Sequence, residues 1–301
     1  MYKKRFYTYL QFEKRYSSHT LEAYKLDLEQ FTDFISSQYP DEDPDLLHVH
    51  HRQIRAWIIQ LMDEQISPKS VNRKISTLKT YFRFLLKQGL IQKNPMLKVI
   101  APKIQQPLPV FIEKNSMNSL FDMIESEYPE SNETEKFLKA RDRLIIEILY
   151  STGIRRAELL GLKTGSFNTS SKTVKVLGKG NKERIIPVSD ILLKLVFEYT
   201  QIRNKLVGDK EFLLVTEKGK NAYPRLVHKV VTTLLQHVST LTRTSPHVLR
   251  HTFATHLSNS GAELNAIKEL LGHASLASTQ VYTHNTIDKL KDIHRLAHPK
   301  G

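Results

Sequence analysis

The sequence predicts a mainly α fold with a mixed second half that holds a small β-hairpin, and three observations lead there. Apolar residues recur at offsets of three and four through most of the 301-residue chain. Serine, proline and glycine stand where helices of that spacing should begin and end. Only the stretch from Thr173 to Val188 shows two strand-like runs around a glycine-rich turn. With 40% apolar and 25% charged residues the composition is that of a folded protein, and the length allows two domains.

The first hundred residues read as helices. After Ser18, Leu21, Tyr24, Leu28, Phe31 and Phe34 recur at helical spacing, and Ile54, Trp57, Ile58 and Leu61 repeat the pattern after Pro44. A third helix has Ser67 as N-cap, Pro68 at its first position and Gly89 as its stop. Its apolar face is Val71, Ile75, Leu78, Phe82 and Leu85. The opposite face carries Lys69, Arg73, Ser76 and Arg83, a basic strip suited to phosphates or a major groove, although a solvated face gives the same pattern.

Four of the twelve prolines fall between Pro95 and Pro109, and the run PKIQQPLP from Pro102 to Pro109 has neither helical nor strand periodicity. It reads as a linker over 104–110 between domains at 1–103 and 111–301. Two basic domains so joined could close around a duplex; a single two-lobed domain fits the same composition.

Beyond the linker, Leu120, Phe121 and Ile124, then Leu144, Ile145, Ile148 and Leu149, supply helical apolar faces. The second helix runs into TGIRRAELLGL. Gly153 would close it, which presents Arg155 at the start of a new helix with Glu158 three residues on. Such an arginine can meet an anion or make an ordinary ion pair with Glu158. The hairpin follows: Thr173 to Leu177, the turn GKGNKE, then Arg184 to Val188. Lys179 lies between two glycines, where a lysine can reach into a groove and donate a proton. The GxxxxGK[ST] pattern is missing, so nucleotide binding is not expected. Helices around Ile191 to Leu206 and Tyr223 to Val238 flank a short apolar run at Phe212 to Val215.

The next stretch, SPHVLRHTFAT from Ser245 to Thr255, puts His247, Arg250 and His251 on one helical face. A guanidinium between imidazoles suits an oxyanion, because its planar fork matches two phosphate oxygens and the imidazoles can donate or move a proton. His273 follows Gly272 at a helix end, and Tyr282 lies nine residues later.

A formal net charge of +14 gives a field that attracts a polyanion, most simply nucleic acid, with strong salt dependence. A membrane is the weaker choice of partner, since no apolar run approaches the roughly 18 residues of a span. Met1 to Arg5 is basic, but the residues after it are too polar for the core of a signal peptide. With no cysteine, disulfides and thiolate chemistry are excluded, and a reducing, cytoplasmic location is expected. His247 and His251 have the spacing of a zinc helix, but Val248 stands where such a helix has glutamate and no further ligand pair is evident, so neither metal nor cofactor is expected.

The order TGIRRAEL, LGKGNKERIIP, SPHVLRHTFATHL and LLGHASLASTQVYTH resembles the tyrosine recombinase, or phage integrase, family, and most closely its Xer branch of site-specific recombinases. The pattern S-x-x-T-L-E-A-Y-x-x-D-L at Ser17 to Leu28 and the closing HPKG extend the resemblance over nearly the whole chain. It implies an amino-terminal helical core-binding domain of SAM-like fold and a mostly helical catalytic domain. By position, the family's catalytic set becomes Arg155, Lys179, His247, Arg250, His273 and Tyr282, with Glu158 and His251 behind them. Arg156 stands where the family varies and implies nothing about activity. Lys182 joins Lys69, Arg73, Ser76 and Arg83 as an expected DNA contact.

In that reading Tyr282 attacks the phosphodiester to form a 3'-phosphotyrosine, and Lys179 protonates the departing 5' oxygen. Arg155 and Arg250 neutralise charge on the equatorial oxygens, His247 takes the tyrosine proton, and His273 holds the phosphate. The resemblance also implies double-stranded DNA with a specific site and a tetramer on two such sites, with a Holliday junction between them. The tail from Thr286 to Gly301, with Ile287, Leu290, Ile293 and Leu296 at helical spacing, would dock on a neighbouring protomer or on its own domain. A second recombinase and a DNA translocase are possible partners. Chromosome dimer resolution is the expected task, since Tyr2 to Tyr16 lead straight into the core-binding helices. Integration or excision of a mobile element, a type IB topoisomerase and a catalytically silent DNA-binding protein are the alternatives.

Overall fold

The computed structural model describes residues 2–41, 46–104, 110–126, 132–178, 181–238 and 244–272. The chain falls into two compact units, Met1–Pro107 and Leu108–Gly301. Both are built mainly from helices. Among the described residues no helix is long and apolar enough to cross a membrane.

In the first unit α1 (Tyr2–Thr8) runs through a π-helical turn, Tyr9–Glu13, and is followed by α2 (Ser18–Gln38), α3 (His51–Asp63) and α4 (Pro68–Lys87). The expected third helix is α4: the Ser67 hydroxyl accepts from the Ser70 N–H, and Gly89 adopts φ of 69° just past the end. Its five expected apolar residues are all buried. Phe31 and Trp57 meet at 4.8 Å between ring centres, and α1 and the π-helical turn after it, which periodicity did not mark, are anchored by fully buried Phe6 and Leu10. Each such side chain contributes about 1.5–3 kcal/mol of burial.

Leu21 and Tyr24 of the α2 stripe are only half-buried, whereas Asp27 is fully buried. The reason is a polar network. Asp27 accepts from Arg73 Nη1 at 2.5 Å, Lys74 Nζ at 3.3 Å and Thr77 Oγ1 at 2.8 Å, so the buried carboxylate is neutralised and hydrogen-bonded. Lys74 also donates to Gln30 and lies 5.7 Å from the Trp57 ring centre. All four residues of the basic strip, Lys69, Arg73, Ser76 and Arg83, are exposed, and Arg73 also pairs with Asp27 through one of its nitrogens.

The second unit holds α5 (Lys114–Ser126), α6 (Glu133–Thr152), α7 (Arg156–Leu160), a three-stranded antiparallel sheet and α8 (Asp190–Val207). These are followed by α9 (Pro224–Gln236), α10 (Pro246–Asn259) and α11 (Leu264–Leu271). The expected hairpin is β2 (Thr173–Leu177) paired with β3 (Glu183–Pro187), in the register Val176 opposite Arg184. A two-residue strand, β1 (Phe167–Asn168), adds to β2 and was too short to show a period. The long α6 lies at the centre of a single apolar cluster, with Leu144, Ile145, Ile148 and Leu149 fully buried against α8 and α10.

Candidate active site

The site begins where α6 stops. Gly153 takes a left-handed conformation, φ of 60°, and its N–H reaches the Leu149 carbonyl. A Cβ there would overlap the Phe253 ring and stand 2.9 Å from Leu271 Cδ2, so only glycine lets α6, α10 and α11 meet. Two residues on, Arg155 is the N-cap of α7. Its N–H donates to Glu158 Oε2 at 2.7 Å and its Nη1 to Oε1 at 2.9 Å. The expected ion pair thus exists, and it orients Arg155.

Glu158 has a second partner that spacing did not suggest. Arg184 on β3, buried, reaches it with both terminal nitrogens, Nη1 to Oε1 at 2.9 Å and Nη2 to Oε2 at 2.8 Å. Burial alone would raise the carboxyl's pKa, but the bonds from Arg184 and the Arg155 N–H outweigh it and hold the group down at about 2. Arg184 was legible only as a charged residue in a strand with alternating burial.

α10 brings the other arginine. Arg250 Nη1 donates to the Gly153 carbonyl and Nη2 to the Leu271 carbonyl, both at 2.6 Å. Burial, then the nearby charge of Arg155, lowers its pKa to about 10, so it stays protonated near neutrality. The same helix is pinned on its inner face. Thr252 Oγ1 accepts from the Ile112 N–H at 3.0 Å, Phe253 packs on Gly153, and His256 Nδ1 meets the Tyr150 hydroxyl at 3.0 Å.

Three arginines converge on the end of α11. Arg184 Nε donates to the carbonyl of Leu270, Arg250 to that of Leu271, and Arg155 Nη2 to that of Gly272 at 3.2 Å. These are carbonyls that a helix end leaves without intrahelical partners, and the negative end of the helix dipole favours cations there. With the bond from Arg155 to Glu158 and that from Arg250 to the Gly153 carbonyl, each of these two arginines has both terminal nitrogens engaged, which fixes both forks in place before any ligand arrives.

Arg155, His247 and Arg250 line one cavity of about 210 Å³, together with Ile154, Arg156, His228, Ser245 and Pro246. No acidic residue lines it among the described residues, and the amino end of α10 opens onto it, so the cavity suits an anion. His251 is exposed and is not among the residues that line this cavity. The reason is its helical direction: its neighbours Thr252 and Phe253 turn into the core. His228, an exposed residue of α9, was missed because a single histidine in an amphipathic helix carries no signal of its own.

Lys179, His273 and Tyr282 lie outside the described residues, as does the tail from Thr286 to Gly301. Their neighbours are described. The Gly178 N–H donates to the Lys182 carbonyl at 2.7 Å, which joins the two described ends of the expected GKGNKE turn. A Cβ at Gly178 would stand 3.4 Å from Glu158 Oε1, which puts the base of that turn against the site. Lys182 itself is exposed. His273 directly follows Gly272, whose carbonyl Arg155 holds.

The phage integrase family pattern matches residues 111–288, and the pattern of the phage integrase N-terminal SAM-like domain matches residues 4–89. The chain is 34% identical to the tyrosine recombinase XerC of Chlorobaculum tepidum, covering 98% of this chain and 94% of that one. It is 35% identical to the XerC of Oceanobacillus iheyensis, over 100% and 97% of the two chains. A solved structure of XerH site-specific recombinase bound to difH substrate, a pre-cleavage complex, shares the fold with a TM-score of 0.67 at 24% identity, covering 90% of this chain and 78% of that chain.

Proposed function

From the premise that this chain belongs to the phage integrase family, we propose how its residues cut and rejoin DNA. The protein is a tyrosine recombinase that carries out site-specific recombination of Xer type. The observation that carries the reading of the site is the convergence of Arg155, Arg250 and His247 on one cavity with no acidic residue in its described lining, Arg155 being fixed by Glu158 and the Gly272 carbonyl and Arg250 by two backbone carbonyls.

A phosphodiester in that cavity meets two planar forks of N–H donors. Charge that builds on its equatorial oxygens during in-line attack is neutralised by groups that need no rearrangement. Tyr282 is the nucleophile: its phenolate oxygen bonds to phosphorus as the bond to the 5' oxygen breaks, leaving a 3'-phosphotyrosine. A free phenol has a pKa of about 10, so it needs a base, and His247 takes its proton. Lys179 gives a proton to the leaving 5' oxygen, and His273 donates a hydrogen bond to the phosphate. Glu158 holds Arg155 and does not touch the DNA. The phosphotyrosine retains the energy of the original ester, so a 5' hydroxyl of a second duplex reverses the step without ATP.

The partner is double-stranded DNA carrying a specific site, gripped by the basic strip of Lys69, Arg73, Ser76 and Arg83 and by Lys182. Four copies act on two sites through a Holliday junction, alone or with a second, related recombinase and a DNA translocase. The tail from Thr286 to Gly301 links neighbouring copies. The task that fits this assembly is resolution of chromosome dimers in the cytoplasm before cell division.

A covalent trap tests the reading. The protein is mixed with fragmented genomic DNA, quenched in detergent, and the protein-linked DNA is sequenced, with Tyr282→Phe in parallel. Adducts from the unmodified protein alone, at a single chromosomal locus, are the expected result. Adducts at the ends of an element would point to mobile-element chemistry, and adducts from Tyr282→Phe would refute the nucleophile.

A further inference from the structure

We infer that Arg156 and His228 form a second phosphate contact in the active-site cavity, holding a backbone phosphate beside the one that is cut. This rests on the recombinase reading and adds residues that the catalytic set does not contain. Both side chains line the cavity with Arg155, His247 and Arg250. Both are exposed, and among the described residues neither is engaged in a hydrogen bond or ion pair.

Their geometry separates them from the first contact. Arg155 is the extended N-cap of α7, with φ of −76° and ψ of 151°, and Arg156 is its first helical residue, so the two side chains leave the chain in different directions. With Arg155 held by Glu158 and the Gly272 carbonyl, Arg156 points its fork to a different part of the same wall. His228 comes from α9, an element that supplies no other residue to the lining.

Charge supports the same division. Among the described residues, three guanidiniums, two imidazoles and no carboxylate line the cavity, whereas one phosphodiester carries a single negative charge. A strand of DNA brings another phosphate for roughly every 3.4 Å of axis, so the surplus matches a strand and not an isolated anion. Arg156 can bind such a phosphate with two parallel N–H groups, and His228 can donate a third hydrogen bond. By fixing the neighbouring phosphate, the pair sets the register of the strand so that the scissile phosphorus faces the nucleophile.

The test uses the full chain and a nicked synthetic duplex of the site recovered by the covalent trap, with rates of covalent adduct formation as readout. Arg156→Ala and His228→Ala are each expected to slow adduct formation about tenfold, at saturating protein as well as at low concentration, because a strand held out of register reacts slowly even when bound. Arg156→Lys and His228→Gln should recover part of the loss. In a second arm, single phosphates within three positions of the cut are replaced by neutral methylphosphonates. At one position the substitution should slow the unmodified protein by the same factor and slow the alanine variants no further. Variants as fast as the unmodified protein, or losses that multiply at every position, would overturn the inference. Absence of any Tyr282-dependent adduct from the unmodified protein would overturn the recombinase reading, and this inference with it.

Discussion

Arg184 and Glu158 form a two-point ion pair beneath the active-site cavity, with both carboxylate oxygens met at 2.8–2.9 Å. Each is almost fully buried. The pair joins β3 to α7, and the Nε of the same guanidinium ties both to the Leu270 carbonyl at the end of α11. Arg155 is oriented by the face of Glu158 that remains, so the position of an arginine that lines the cavity depends on another that does not.

Replacing Arg184 by leucine should therefore cost more than a surface charge. It leaves Glu158 buried with only Arg155 as ionic partner, a defect worth about 3 kcal/mol or more in urea unfolding. Adduct formation should fall at least a hundredfold even where the variant is folded, because the fork of Arg155 and the α11 carbonyls lose their common anchor. Unchanged rates in folded protein would mean that the pair serves stability alone.

Gly153→Ala should destabilise the second unit by roughly 2–4 kcal/mol, combining a left-handed backbone with overlap on Phe253 and Leu271. Adding Phe253→Leu should recover part of the loss, since it withdraws the ring atoms from the new methyl. Thermal unfolding of the single and double variants measures this.

In the first unit, Lys69→Ala combined with Arg83→Ala should weaken DNA binding and reduce the slope of log K against log salt by about 2, with unfolding unchanged. Arg73→Ala should behave differently. It removes an ion-pair partner of fully buried Asp27, so a loss of about 1–3 kcal/mol in stability accompanies any loss of binding. A salt slope that stays constant in the double variant would return the strip to solvent.

Acid should unfold the second unit through two groups. Glu158 has its folded pKa lowered to about 2 from 4.5, so the unfolded chain binds the extra proton first, and the stabilisation present above pH 4.5 is lost as pH falls toward 2. His256 is also lowered, chiefly by burial, from 6.5. Its neutral form is favoured in the fold, and the corresponding stability starts to decline as pH falls below 6.5. Stability measured by urea at a series of pH values should decline in two steps on the acid side. Glu158→Gln should abolish the lower step, and His256→Asn the upper one.

Much of this protein was legible in the sequence because its signals are local. Helix α4 is written by Ser67, Pro68, Gly89 and an apolar stripe of offsets three and four, all of which act within a turn or two of the chain. Gly153, Arg155 and Glu158 were readable for the same reason, since cap and ion pair span only a few residues. The four ordered motifs added the family, and with it the expectation of a catalytic set.

What local spacing could not decide is which charges face the ligand and which face the protein. Arg155 and Arg184 are both arginines near glycines, yet one lines the cavity and the other is buried beneath it, and Arg73 and Lys69 share a helix while only Arg73 is drawn onto Asp27. Likewise His251 lies in the most telling motif and is left outside the cavity, whereas His228 belongs to no motif and lines it. These outcomes depend on contacts across 26 to 117 residues of chain, where the burial of a charge is tolerable only if a partner from another element arrives. The helices and the reaction were set by neighbours in sequence; the use of each charge was decided by neighbours in space, because only the packed fold determines which polar groups lose water and must be paired.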